Sequence, residues 1–398
     1  MKKIARNEYL NSLIELKGTP DIKVITGIRR CGKSVLLEDY IEYIKSNDSD
    51  ANIVYINFQN IEFDSIKEYH KLNEYILSKY KNGKTNYLFI DEVQMCEKFE
   101  LTINSIHSQR IFDIYITGSN AFLMSSDLAT LFTGRTVTIE VYPFSFKEYL
   151  EYSKEDKETG FKNYTKYGGM AGSYLYNDEK RKYGYLKDVF DTVILRDIVS
   201  KYNIKDYEVL ENLSSFLIDN ISNLTSPNKI SSILSSNNIP SHHTTIGNYI
   251  NYLCNAYVFY KAKRYDLKGK KYLSTSEKYY LADHSFKYAK LGTKNLDIGR
   301  VYENMVYIEL LRRGYEVYIG KLYEKEVDFV AVRGNEQIYI QVSSYMEEKD
   351  TIDREVKPLL SIKDAYPKMI IARTHQDEYT IEGVKVIDIL EWLLNSQK

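Results

Sequence analysis

Cysteine is scarce in this chain of 398 residues: Cys31, Cys96 and Cys254 are the whole supply. An odd, sparse set in so long a sequence excludes a disulfide scaffold and points to a reducing compartment. Net charge is nearly absent as well, with a formal value of -1. No single-sign field covers the molecule, so any nucleic-acid surface has to be a local patch. Long apolar runs are missing. No stretch approaches the roughly 20 apolar residues of a membrane helix. Met1-Lys2-Lys3 leads into charged residues rather than an apolar stretch, which predicts no secretory leader and a cytoplasmic protein. Internal repeats and low-complexity linkers are also lacking. What is plentiful is tyrosine, 38 residues, which reads as biased composition serving core and surface and carries no functional inference.

The length suggests two or three domains. Residues 21–150 alternate short apolar runs with helical stretches. Strands are expected at Lys23–Thr26, Ile53–Phe58, Tyr87–Asp91, Ile111–Thr117 and Val137–Val141, with helices such as Ser34–Ser46 and Ile66–Lys79 between them. Apolar runs of this kind suit a parallel sheet covered on both faces, in an α/β arrangement.

Between the first strand and its helix lies Gly27-Ile28-Arg29-Arg30-Cys31-Gly32-Lys33-Ser34, which fits GxxxxGK[ST] without departure. Glycines let main-chain N–H groups turn onto phosphates, and the start of a helix adds partial positive charge. Lys33 reaches β- and γ-phosphates, and the Ser34 hydroxyl suits Mg²⁺. Val35 opens the helix. ATP and Mg²⁺ are therefore the expected ligands, with residues 27–35 as the nucleotide cradle. Cys31 reads as a small spacer in it. Arg29 or Arg30, beside the phosphates, is placed to report nucleotide state to the helices that follow.

Tyr87-Leu88-Phe89-Ile90-Asp91-Glu92 is an apolar strand ending in two acids. Beside a phosphate loop, Asp91 is expected to hold Mg²⁺ and Glu92 to polarise the attacking water. The next strand ends in Thr117-Gly118-Ser119-Asn120. Ser119 or Asn120 is a candidate sensor of the γ-phosphate, although these types are also ordinary turn residues. In Gly134-Arg135, the arginine is a candidate for stabilising transition-state charge on a neighbour's ATP. From sequence alone a structural ion pair is the favoured explanation.

Together with Tyr142-Pro143-Phe144-Ser145-Phe146-Lys147-Glu148-Tyr149, Tyr167-Gly168-Gly169 and Leu195-Arg196-Asp197-Ile198, these motifs make the chain resemble prokaryotic ATP-binding proteins of the AAA superfamily. Members of that family carry a C-terminal domain of unknown function that resembles restriction nucleases. The resemblance spans nearly the whole chain. It implies ATP binding and leaves the biological role to be argued from the residues.

On this reading the fold class is α/β: a P-loop AAA-type parallel-sheet core (1–142), a helical lid or linker (143–205), a winged helix (206–290) and a degenerate nuclease-like domain (291–398). In the winged helix, Tyr207–Ile221 forms one helix, Ser226-Pro227 starts a second, and Ser241 caps a third over His242–Asn255. Its apolar face carries Ile246, Tyr249, Ile250 and Leu253, and its other face offers His242, His243, Thr245 and Asn248. A hairpin at Tyr257–Ser274 follows. From 261 to 278, Lys261, Lys263, Arg264, Lys268, Lys270, Lys271 and Lys278 stand against Asp266 and Glu277. A recognition helix with a basic wing suits duplex DNA through residues 241–278. Winged helices also serve protein contacts, and a further copy of the chain or another protein is the alternative partner. His242-His243 lacks a Cys or acid at metal spacing.

In the last part, a helix at Val301–Arg312 precedes strands at Tyr315–Ile319, Val327–Val332 and Ile338–Ser343, a helix at Asp350–Ile362 and a strand at Met369–Ala372. Nuclease-like folds of this order need an acid on the first helix, an Asp on a strand, and acid-x-Lys on the next strand. Glu303 and Asp328 match. Gln341-Val342-Ser343 stands where acid-x-Lys belongs, and Ser343 cannot carry the positive charge, so DNA cutting is not expected. The functional expectation is an ATPase hydrolysing ATP with Mg²⁺, coupled to a DNA-contacting module. The alternatives are an ATP-dependent nuclease and an ATP-driven signalling or defence switch that binds a protein.

Overall fold

The computed structural model describes residues 4, 6–118, 132, 134–269, 271–292, 297–323 and 325–395. The chain divides into two compact units, residues 1–142 and 143–398.

The first unit is built on five strands, β1 (Ile22–Thr26), β2 (Ala51–Asn57), β3 (Thr85–Asp91), β4 (Asp113–Thr117) and β5 (Thr136–Glu140). They lie in the order β2-β3-β4-β1-β5. Every pairing is parallel. Helices α1 (Asn7–Glu15), α2 (Lys33–Asn47), α3 (Tyr69–Ser78) and α4 (Phe99–Gln109) accompany the sheet. All five strands expected from the apolar runs are present, with ends moved by one or two residues. One face of the sheet packs Val24, Val54, Ile56, Leu88, Ile90, Ile114 and Ile116 against Leu72, Ile76, Ile103 and Ile106 of α3 and α4. Aromatic groups fill space near α2: the Phe89 and Tyr115 rings stack at 4.9 Å, and the Tyr40 hydroxyl meets that of Tyr115 at 2.9 Å. Lys23, wholly buried in β1, pairs with Asp113 at 2.6 Å, so its charge is matched inside the sheet.

The second unit begins with α5 (Phe146–Ser153), α6 (Lys157–Tyr167) and α7 (Glu179–Thr192). Ser145 and Glu148 form a reciprocal capping box at the start of α5. Gly169 follows α6 because its main chain lies against Phe144: a Cβ there would come within 2.1 Å of the Phe144 carbonyl oxygen. Its N–H donates to Asp283 at 2.7 Å. Next come α8 (Tyr207–Asp219), α9 (Pro227–Ser236) and α10 (His243–Asn255). As expected, Ser226 caps α9 with Pro227 at its first position, and Ile246, Tyr249, Ile250 and Leu253 are buried on α10. The cap of α10 is His242, whose side chain accepts from the Thr244 N–H, and not Ser241.

The hairpin is longer than its composition suggested. Its strands are β6 (Phe259–Asp266) and β7 (Lys271–Leu281). They are built into an eight-stranded sheet with β8 (Glu316–Leu322), β9 (Lys325–Arg333), β10 (Glu336–Ser343), β11 (Lys368–Ala372), β12 (Tyr379–Ile381) and β13 (Val384–Asp388). The order is β12-β13-β11-β10-β9-β8-β6-β7. β6 runs parallel to β8 and forms one end of the sheet with β7. Helices α11 (Ser285–Leu291), α12 (Ile298–Arg312), α13 (Lys349–Leu360) and α14 (Ile389–Leu394) complete the unit. Every residue of α12 from Val301 to Leu310 is buried, which makes it the central helix of this unit.

Candidate nucleotide site

At the carboxyl end of β1 the chain makes the turn that the glycine pattern requires. Gly27 has φ 137° and Gly32 φ 101°, backbone that glycine adopts freely. Arg30 takes φ 65°. Space confirms the need at Gly27, where a Cβ would sit 2.1 Å from the Val141 carbonyl oxygen. The Ile28 and Cys31 side chains are buried, Arg29 is half-buried, and Arg30 and Val35 are exposed. Gly32 caps α2 with no side-chain acceptor. The first-turn N–H groups of α2 are thus not taken by a side-chain cap, which is what an anion at a helix start uses. Lys33 is buried and folds back over the loop, donating to the Gly27 carbonyl at 2.7 Å and to that of Ile28 at 3.1 Å.

The acidic strand lies two places from β1, with β4 between. Asp91 ends β3 and Thr117 ends β4, and the parallel register brings the two side chains together: the Thr117 hydroxyl donates to Asp91 Oδ1 and accepts from the Glu92 N–H at 3.1 Å. Asp91 is only 1% exposed, and among the described residues its Oδ2 has no hydrogen-bond partner. Burial raises its pKa; Glu92 adds to the rise, while Thr117, the Ser34 hydroxyl and the Lys33 ammonium oppose it. A buried carboxylate with one oxygen left without a partner, and a serine hydroxyl near the same carboxyl, is the hard-oxygen donor set that Mg²⁺ takes, with water completing the shell. Ser34 and Asp91 therefore fit the cation. Glu92 is half-buried, in left-handed backbone at φ 55°, and accepts from the Gln94 amide.

Thr117 was not singled out from sequence, yet it holds both acids. The signal was available: the carboxyl ends of neighbouring parallel strands lie side by side, and both apolar runs end in a polar residue. Ser119 and Asn120 lie outside the described residues. Arg135 is exposed, and its carbonyl accepts from the Ile22 N–H at 2.8 Å. That places it at the opposite end of β1 from the phosphate loop, about 15 Å along the strand at about 3.3 Å per residue. It is not brought to the loop of its own chain.

A second residue missed from sequence is Arg6. Its buried guanidinium donates to the carbonyl oxygens of Cys31 at 3.0 Å and Tyr142 at 2.9 Å. The Tyr9 ring lies 4.5 Å beneath it, and the Tyr9 hydroxyl accepts from the Tyr142 N–H. The segment before α1 thus ties the phosphate loop to the chain leaving β5. Nothing in the local pattern around a lone early arginine marks such a contact.

The other sequence-derived features fall in the second unit. His242, His243 and Asn248 are exposed on α10, with Thr245 half-buried. Of the expected basic wing, Lys263 and Lys268 are exposed. Lys261 pairs with Glu277 at 3.6 Å. Lys270 lies outside the described residues. Lys278 is buried and unavailable to a phosphate backbone. Gln341 engages both ends of its amide, accepting from the Asp328 N–H at 2.7 Å and donating to Glu355 at 2.9 Å, so its oxygen is already used.

Residues 19–150 match the family described as an AAA domain, and residues 158–297 match a domain of unknown function. Among solved structures, the Walker-type ATPase of Pyrococcus abyssi aligns at 15% identity and TM-score 0.47, over 72% of this chain and 95% of that one. AMPPCP-bound DnaA from Aquifex aeolicus aligns at 14% identity and TM-score 0.28, over 64% and 86%. An uncharacterized protein of Haemophilus influenzae is 40% identical over 398 residues, 98% of each chain. One of Methanocaldococcus jannaschii is 32% identical over 88% of this chain and 80% of that protein. With a phosphate loop at the end of β1 and paired acids at the end of β3 in one parallel sheet, and with a relative alike over 98% of each chain, the chain belongs to a family of AAA-domain proteins.

Proposed function

We propose that the protein hydrolyses ATP with Mg²⁺ in its first unit and uses the nucleotide state to control a DNA-contacting second unit. The observation that carries the first half is the convergence of Lys33, Ser34, Asp91, Thr117 and Glu92 at the carboxyl ends of β1, β3 and β4. In this reading the loop N–H groups from Gly27 to Val35 and the Lys33 ammonium hold the phosphates. Ser34 and Asp91 hold the cation, which when bound neutralises phosphate charge. Glu92 orients the attacking water and takes its proton. Asn120 senses the γ-phosphate, and Arg135 serves only across a subunit boundary, since it lies away from its own loop.

For the second unit, α9 and α10 followed by the β6–β7 hairpin support a winged-helix reading, and the order α12, β8, β9, β10, α13, β11 supports a nuclease-like one. Exposed His242, His243 and Asn248 suit a groove, with Lys263 and Lys268 meeting phosphates. Ser343 in place of lysine argues for holding DNA rather than cutting it. Coupling demands that ATP favour one conformation over another. The test is duplex binding by fluorescence anisotropy at rising salt, in the ATP, ADP and nucleotide-free states. A steep fall with salt is expected from displaced counterions, together with affinities that differ among the three states. Equal affinity in all three would refute coupling to DNA. Absence of salt-sensitive binding would favour a protein partner.

A further inference from the structure

The second unit contains an acid pocket whose chemistry the ATPase reading does not use. Glu303 enters from α12, and Glu326 and Asp328 from β9. All three face one atom, the Nζ of Lys278 on β7, at 2.9 Å, 2.7 Å and 3.7 Å. Lys278 is 3% exposed. Its stem is fixed in mid-strand, where it lies opposite Ala262 of β6. Two further donors reach the acids: Tyr280 donates to the same Glu303 oxygen that Lys278 holds, at 2.8 Å, and the Val342 N–H donates to Asp328 Oδ2 at 2.9 Å.

This is the acid pair that a nuclease-like fold needs, with one difference. The strand that should supply the lysine, β10, supplies Ser343, whose hydroxyl donates to the Tyr345 carbonyl at 2.9 Å. The positive charge arrives from β7 instead, at the point where the carboxylates converge. Among the described residues, no three His, Cys, Asp or Glu side chains are grouped to hold a metal ion.

We propose that Lys278 is a built-in cation that occupies the metal position of a nuclease-type acid pocket, so that the pocket takes no divalent metal and is silent as a nuclease. Three observations converge on this. The separations of 2.7 and 2.9 Å are those of ammonium–carboxylate hydrogen bonds. A bound Mg²⁺ requires oxygens at about 2.1 Å, and the ammonium would have to leave first. Burial works to strip the Lys278 proton, but Glu303, Asp328 and Glu326 more than offset it and raise its pKa, so the charge stays. The ammonium thereby performs the balancing that a pocket of buried carboxylates cannot do without.

The test is calorimetric titration of the full, nucleotide-free chain with MnCl₂ at neutral pH. Wild type, Asp328→Asn, Lys278→Met and the double variant Lys278→Met/Asp328→Asn are compared. Wild type and Asp328→Asn should give the same isotherm, because the pocket takes no metal in either. Lys278→Met should gain a specific Mn²⁺ site that the double variant loses. If Lys278→Met is folded by circular dichroism and gains no site, the pocket is not metal-shaped and the proposal fails. If it does not fold, the wild-type comparison decides alone. Wild-type Mn²⁺ binding that Asp328→Asn removes, accompanied by plasmid nicking, would show Lys278 to be the lysine of a working nuclease and overturn the proposal. None of these readouts depends on ATP turnover, so failure here leaves the ATPase reading untouched.

Discussion

At the residue scale, the two acids at the end of β3 differ in surroundings, and the difference suits the separate tasks proposed for them. Asp91 is sealed in, with one oxygen held by Thr117 and the other without a hydrogen-bond partner among the described residues. It suits a fixed cation and not proton transfer in bulk water. Glu92 is half-buried and turned out of the strand by left-handed backbone, where a water can reach it. Glu92→Gln should therefore keep ATP affinity within about twofold and slow turnover by about 10²–10⁴, the usual worth of a positioned base. Nucleotide titration and phosphate release measure the two quantities, and unchanged turnover would remove Glu92 from the mechanism. The residues with fixed chemical patterns were legible from sequence alone. Gly27 to Ser34 and Asp91-Glu92 follow from spacing, because phosphate binding demands particular backbone and charge within a few residues. Thr117 and Arg6 were not, since each acts through a partner distant in sequence: Thr117 on Asp91, and Arg6 on Cys31 and Tyr142.

At the scale of elements, the phosphate loop is not held by β1 and α2 alone. Arg6 clamps the Cys31 carbonyl from below and the Tyr142 carbonyl beside it. Hydrogen bonds from a charged donor contribute about 1.5–3 kcal/mol each. Replacing Arg6 by Ala leaves two carbonyls without that donor, so the loop should lose about 2 kcal/mol or more of support. The expected result is a lower unfolding temperature and weaker ATP binding, with turnover at saturating ATP less affected. Thermal denaturation and nucleotide titration separate these; an unchanged affinity would mean that the clamp is structural only. Strands β1 to β5 and β8 to β11 were readable as short apolar runs bounded by turn residues, whereas β12 and β13 were not among those expected. The hairpin was the harder element. Its alternating cations read as an exposed basic wing, but Lys278 points inward and β7 runs on to Leu281. Its counter-charges sit on α12 and β9, far along the chain, and no local pattern announces them.

At the scale of the whole molecule, two compact units share one chain. The first carries the proposed nucleotide site and the second a sheet whose acid pocket is filled by its own lysine. Both rest on charge brought into place by the fold, with cation and carboxylates supplied by different strands and helices. The first unit stands on one claim, that the Lys33 ammonium and the loop amides bind a triphosphate in a form ready for attack. Phosphate release from Mg²⁺-ATP by wild type and by Lys33→Ala tests it most directly. Magnesium-dependent turnover in wild type, falling by about 10² or more in the variant as for the loss of a preorganised charge donor, is the predicted result. Equal turnover in the two proteins, or none in a folded wild type that also fails to retain ATP, would contradict it.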